Sequence, residues 1–249
     1  MTKKSQTFIL SSIYATYDSL PRIIERKPIR MEQWLIVLPV LLFSVVVHEC
    51  AHAIAAERAG DATARLLGRI TLNPVPHIDP VGSILVPALL LLSHSSVFFA
   101  WAKPVPVNPY NFRRPRHDDM VVSFAGPLSN MILALGFTAV LALVVLTPFG
   151  SRPEFWQSPY FNVLHYGIWI NLVLAFFNLI PIPPLDGSHI LANLLPRQAA
   201  LRYERIRPYG FLILIAAMYF GLLSVFFLPA KFIFTGLMNL VVRIGTSAL

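Results

Sequence analysis

Apolar residues dominate the chain from Trp34 to Ala56, and the same pattern returns at Val81–Trp101, Met120–Leu146, Tyr160–Ile180, Pro208–Leu228 and Ala230–Thr246. Each stretch is close to the roughly 17–25 apolar residues that a membrane-crossing helix needs. Val81–Trp101 is awkward for one straight helix. Leu85–Leu92 suits a helix, Ser93–Ser96 a turn, and Val97–Val107, which carries Phe98, Phe99 and Trp101 before Pro104 and Pro106, an extended strand. The pattern therefore predicts a re-entrant hairpin over 81–107, tolerated at membrane depth where it is buried in protein or faces a cavity. The expected fold is an all-α polytopic membrane protein with about five transmembrane helices plus this hairpin, or six spans if the hairpin crosses.

Between the apolar stretches, Arg58, Gly60 and Asp61 end the first span. Residues 68–80 are rich in proline and turn formers and read as an extended segment with turns. Residues 1–33 are mixed and basic, and predict either an interfacial helix or a loosely ordered tail. A short apolar core with a small-residue cleavage site is not expected there. The organisation reads as a basic N-terminal segment at 1–33, a core at 34–200 and C-terminal transmembrane helices at 201–249.

Composition strengthens the membrane reading. Of 249 residues, 56% are hydrophobic and 13% charged, about half the charged share of a soluble domain. The net charge of +8 is no nucleic-acid signature, because the basic residues sit in short loops beside apolar runs, as positive-inside topology predicts. With a re-entrant 81–107, Arg58, Arg65, Arg69, Lys103, Arg113, Arg114, Arg116 and the four arginines of 197–207 share one side, expected to be cytoplasmic. The single cysteine, Cys50, excludes an intrachain disulfide.

The first span carries the chemistry. His48-Glu49-Cys50-Ala51-His52 places two imidazoles one helical turn apart on one face, and Glu49 beside that face. This is the arrangement of two histidine ligands and a base found in zinc peptidases. Ionisable side chains at the centre of a membrane helix cost about 3 kcal/mol each, and a bound cation compensates them. A catalytic zinc site takes three protein ligands. Asp186 is the best third candidate: prolines at 181, 183 and 184 break the preceding helix, and Gly187 frees the backbone after it. The alternative for Asp186 is a plain helix-ending turn at the membrane surface.

His48–His52 in one membrane helix, followed by Asn178-Leu-Ile-Pro-Ile-Pro-Pro-Leu-Asp186-Gly187 in another, resembles the site-2 protease family of intramembrane zinc metalloproteases. Gly126-Pro127 with Asn130 looks like that family's central-helix motif. Leu72-Asn-Pro, His77-Ile-Asp-Pro-Val-Gly82 and Trp101-Ala-Lys-Pro-Val-Pro-Val-Asn108 look like its short bacterial and archaeal members, without an inserted PDZ-like or appended CBS-like domain. The resemblance covers roughly residues 35–200. It implies one Zn2+ per chain held by His48, His52 and Asp186, Glu49 as catalytic base, and Asn178 as a substrate contact near the metal. It also implies single-span membrane proteins as substrates, cleaved within the bilayer of the cell membrane after local unwinding. From the residues themselves, the Val97–Val107 strand either supplies an edge for the unwound segment or is a packing hairpin.

Other polar residues carry blander expectations. Cys50 packs on another helix face, and Asn130 bonds across helices. His77 and Asp79 either gate the site or bind metal, or serve as turn residues. His94 and His165 are turn and interface residues, and Arg113, Arg114 and Arg116 determine topology. A zinc-binding membrane protein that does not cleave, such as a transporter, is the competing function. A transporter needs a polar path of ionisable residues across the bilayer, and the sequence offers one cluster.

Overall fold

The computed structural model describes residues 31–92 and 101–247. The N-terminal segment expected at 1–33 lies almost wholly outside these residues, as do the Ser93–Ser96 turn, His94, and residues 97–100 of the expected strand. Helix α1 is Met31–Ala59, α2 is Val86–Leu92, α3 is Pro115–Val145, α4 is Pro159–Asn178, α5 is Asp186–Leu194, α6 is Arg197–Glu204, α7 is Gly210–Tyr219 and α8 is Ser224–Ser247. Among the described residues there is no strand. The fold is all-α, with four helices (α1, α3, α4 and α8) long and apolar enough to cross a membrane. Large apolar side chains lie exposed on their outer faces, among them Leu35, Ile132, Leu143 and Phe232. Such surface is stable against lipid and costly in water.

One expected span is corrected. In place of a helix over Pro208–Leu228, α7 has ten residues and rises about 15 Å, too short to cross. The chain turns at 220–223, and α8 begins at Ser224 rather than Ala230. The apolar pattern was continuous there, but the turn at Gly221 divides it.

Long antiparallel helices set the depth of everything else. Helix α3 packs along both α1 and α4, while α8 closes the far end. The main apolar core lies there, built from Leu141, Val145, Phe161, Trp169, Phe234 and Met238. His165 belongs to it, with ring centroids 5.2 Å from Phe161 and 5.3 Å from Phe234, which bears out its reading as an interface residue. At the opposite end the basic loops meet. The Arg113 amide donates to the Ala59 carbonyl at 3.1 Å, and the Arg116 guanidinium donates to the Leu195 carbonyl at 2.7 Å. The loops after α1, before α3 and after α5 therefore share one side.

Asp61 fastens two of those loops. Fully buried, it accepts from the Asn108 amide at 2.7 Å, from Asn111 Nδ2 at 2.8 Å, and from the Thr63 hydroxyl and amide. Burial alone would raise this carboxyl, but the hydrogen bonds outweigh it and hold the group below the ordinary aspartate value.

The two ends of the 83–101 segment also come together. The Trp101 amide donates to the Gly82 carbonyl at 3.2 Å, and the Ser83 hydroxyl donates to the Trp101 carbonyl at 2.8 Å. A segment whose ends are bonded to each other returns to the side it left, as a re-entrant hairpin does. The first arm is helical from Pro80 through Leu92, with Asp79 capping it by accepting from the Val81 and Gly82 amides. The second arm, from Trp101 to Asn108, is irregular.

Candidate metal centre

The site begins with a helix held tightly at its middle. His48 and His52 project from one face of α1, both more than nine-tenths buried, with their Nε2 atoms 3.0 Å apart. Their outer nitrogens are occupied. His48 Nδ1 pairs with Asn130 Oδ1 of α3 at 2.6 Å, and His52 Nδ1 with the Val122 carbonyl of α3 at 2.7 Å. Both acceptors require the proton on Nδ1, so both Nε2 lone pairs face inward at the same point. Two lone pairs that close repel unless a cation lies between them.

Asp186 supplies the third donor. It opens α5, and its Oδ2 lies 3.2 Å from His48 Nε2 and 3.3 Å from His52 Nε2. Oδ2 is buried without a hydrogen-bond partner. The three donors form a nearly equilateral triangle, close to what one zinc ion with bonds of about 2.0–2.2 Å leaves between its ligands. Among the described residues, this is the only group of three or more histidine, cysteine or acidic side chains able to share an ion. The donor set, its inward tautomers and the orphaned carboxylate oxygen all fit such a metal.

Two glycines permit this assembly. A Cβ on Gly126 of α3 would overlap both imidazole Nε2 atoms. One on Gly187 would collide with the Leu179 and Ile180 carbonyls, against which α5 must start for Asp186 to reach the histidines. The Gly126-Pro127 and Asp186-Gly187 pairs of the sequence thus answer to space as much as to backbone freedom.

Glu49 sits beside the triangle. Its Oε2 accepts from the Val105 amide at 2.8 Å, and no hydrogen bond joins it to either histidine or to Asp186. Val105 lies between Pro104 and Pro106, so its N–H is the single backbone donor in that tripeptide. The Lys103 and Pro104 carbonyls in turn accept from Arg69 Nη2 at 2.9 and 3.2 Å. Across 103–106 the Lys103 amide is already bound to the His77 carbonyl, the Val105 amide is on Glu49, and the prolines have none. This stretch leaves no backbone donor for an incoming strand, which corrects the expected pairing edge over its length.

Asn178 stands at the end of α4, and its amide donates to the Leu174 carbonyl at 3.0 Å; no hydrogen bond links it to the three donors. Cys50 turns away from the metal face and donates to the Thr71 carbonyl at 3.1 Å. His77 is fully buried and pairs with that same carbonyl, while Asp79 is a helix cap, so both serve the loop.

Asn130 bonds across helices as expected, but sequence reasoning missed its partners Asn171 and Ser44 behind His48. Asn130 Nδ2 donates to Asn171 Oδ1 at 2.8 Å, and Asn171 Nδ2 donates to the Ser44 hydroxyl at 2.9 Å and the Gly167 carbonyl at 2.8 Å. All three side chains are completely buried. They join α1, α3 and α4 at the depth of the metal. The available signal was three uncharged polar residues inside otherwise apolar spans, which at membrane depth must find partners.

The profile of Peptidase family M50 matches residues 147–221, a stretch holding Asn178 and Asp186 but not the histidines. YwhC of Bacillus subtilis is 39% identical over 188 residues, covering 75% of this chain and 80% of the relative. Rip2 of Mycolicibacterium smegmatis is 29% identical over 189 residues, covering 74% and 67%. MJ0611 of Methanocaldococcus jannaschii is 39% identical over 70 residues, covering 28% and 31%. Each relative bears a name that assigns it provisionally to the zinc metalloproteases. No solved structure matches the chain. With the extent of the match to YwhC, the chain belongs to peptidase family M50, the site-2 proteases.

Proposed function

We propose that this chain is an intramembrane zinc metalloprotease of the cell membrane that cleaves peptide bonds in the transmembrane segments of single-span proteins. The observation that carries the reading is the triangle of His48, His52 and Asp186 with Glu49 beside it: both histidines and Glu49 sit on α1, long and apolar enough to cross a bilayer, and Asp186 reaches them from the start of the short α5. His48, His52 and Asp186 would hold one zinc ion. When bound there, zinc supplies Lewis acidity and lowers the pKa of an attached water to about 7.

The rest falls to the chain's own residues. Glu49 is anchored through one carboxylate oxygen to the Val105 amide, so the carboxylate has one fixed edge and one available oxygen. It takes a proton from the attacking water and passes it to the leaving amine. Asn130 and the Val122 carbonyl hold the imidazoles in the tautomer that directs both Nε2 atoms inward. Asn178 is assigned to the substrate side on the resemblance of Asn178–Gly187 to the motif of the site-2 proteases. A substrate helix must unwind first, because its carbonyls are internally bonded.

The metal lies nearer the Arg58 end of α1. His52 is six residues from Arg58, about 9 Å, whereas His48 is fourteen from Trp34, about 21 Å. We assign that end to the cytoplasm, because the basic residues gather in its loops as positive-inside topology expects. Glu49→Gln tests the chemistry. It keeps the shape of the side chain but cannot accept a proton, so zinc content should stay at one per chain while cleavage of membrane-helix substrates falls about 10²–10⁴-fold. A zinc transporter predicts no such separation of metal binding from peptide cleavage. Cleavage by the zinc-loaded variant at the parent rate would sink the protease reading.

A further inference from the structure

A cavity of about 690 Å³ opens between α1, α3 and α5, outside the metal centre. Its polarity changes with depth. Arg58, Arg114 and His117 line one end, where the Arg113 amide bonds the Ala59 carbonyl and the helices reach the basic loops. Val121, Phe124 and Leu128 line the other, following α3 inward. From Arg114 to Leu128 is fourteen residues, or about 21 Å of helix. Those three apolar side chains are 41–49% exposed although they belong to a membrane-length helix, so the groove faces lipid rather than protein.

The charges at the mouth do not cancel. Asp118 is the one acid in the lining and is already engaged, 3.0 Å from His117 and 3.5 Å from Arg114, and it accepts the Arg114 amide. Arg58 is exposed and makes no hydrogen bond or ion pair with the described residues, and the neighbouring Glu57, whose charge it feels, is held through both oxygens by Arg65. The mouth is therefore net cationic at the level where lipid headgroups lie, above a groove shaped for hydrocarbon. A water-soluble anion would leave the groove empty, and an apolar helix would leave Arg58 without a counter-charge and Arg114 with only the Asp118 it shares with His117.

We infer that this cavity is a binding site for one anionic phospholipid, with its phosphate at Arg58 and Arg114 and an acyl chain along Val121, Phe124 and Leu128. The site rests on the membrane placement of the helices and not on the protease reading. Its floor adjoins the metal centre, because Val121 precedes Val122, whose carbonyl holds His52. A seated lipid would brace α1 against α3 at that bond.

The test is native mass spectrometry of the full chain in mild detergent, with phosphatidylglycerol or phosphatidylcholine added at equal mole fraction. The parent should retain one phosphatidylglycerol per chain under conditions that strip phosphatidylcholine. Each arginine near a membrane surface contributes about fivefold to anionic-lipid affinity, so Arg58→Gln with Arg114→Gln should lower retention about thirtyfold. Arg58→Gln alone leaves the Asp118 contacts intact, keeps the test alive should the double variant misfold, and should lower retention about fivefold. Equal retention of the two lipids by the parent, or unchanged retention in the Arg58→Gln variant, overturns the proposal. Neither result touches the assignment of Glu49, which the cleavage assay decides separately.

Discussion

Replacing the backbone N–H at Val105 by a proline ring should disarm the proposed base without removing a metal ligand. The Val105 N–H is the donor that fixes Glu49 Oε2 at 2.8 Å, and its neighbours on both sides are prolines. Val105→Pro deletes that donor and sets the ring Cδ in its place facing Glu49 Oε2, so the carboxylate loses its anchor and must move aside, in an extended Pro-Pro-Pro run. The side chain at 105 packs on Ala53 and Ala64, and proline keeps Cβ and Cγ for that contact. A hydrogen bond to a charged group contributes about 1.5–3 kcal/mol, or roughly 10–150-fold. If that energy serves to hold Glu49 in line with the attacking water, kcat should fall by about this factor. The ligands His48, His52 and Asp186 are untouched, so zinc content and KM should stay within about twofold of the parent. Val105→Ala is the control: it keeps the N–H, loses two methyl groups, and should retain kcat near the parent value. The assay is cleavage of a single-span substrate in detergent, with metal content measured on the same samples. Parent-like kcat in Val105→Pro would refute the reasoning, as would an equal loss in Val105→Ala, which would show that packing rather than the amide matters.

Three further outcomes follow from the geometry. Asn130→Ala removes the acceptor that orients His48 and should weaken zinc affinity about 10–100-fold, read by competition with a chelator. Gly126→Ala places a methyl group 2.6 Å from His48 Nε2, so the purified variant should lack zinc by elemental analysis while remaining helical by circular dichroism. Asp61 has a folded-state pKa below its unfolded value, so its stabilisation is complete above roughly pH 4 and fades as pH falls through the folded value. Thermal unfolding of the parent should therefore lose ground to Asp61→Asn at neutral pH least of all: the variant should melt lower at pH 7, and the gap should close in acid.

The metal ligands were legible in the sequence because each depends on local rules. Two histidines at i and i+4 share a helix face whatever surrounds them, and a proline-broken helix followed by Asp-Gly must turn where it does. The long spans were legible for the same reason, since length and apolar character alone decide them. The break between α7 and α8 was not. Residues 208–246 are almost uniformly apolar, and periodicity carries no signal in a segment greasy on every side. A turn there is affordable only because Leu214, Ala217 and Leu223 pack against Ile180 and Leu185, a tertiary fact.

The same distinction explains the edge strand. Pro104 and Pro106 could be read directly as residues without donors, but which way the Val105 amide points depends on a contact 56 residues away. Once that contact is known, the two prolines take on a meaning that local rules do not give them. They remove every competing donor from the tripeptide, so that the one remaining N–H has no alternative arrangement in which a neighbour binds Glu49 instead. Arg69 constrains the same stretch from the carbonyl side by holding Lys103 and Pro104. The second arm of the re-entrant segment is thereby fixed from both sides against α1, one residue from the first histidine. A loop tied down in this way serves the base better than it serves as a docking edge, because pairing with a substrate strand would require surrendering the bonds that hold Glu49 in place.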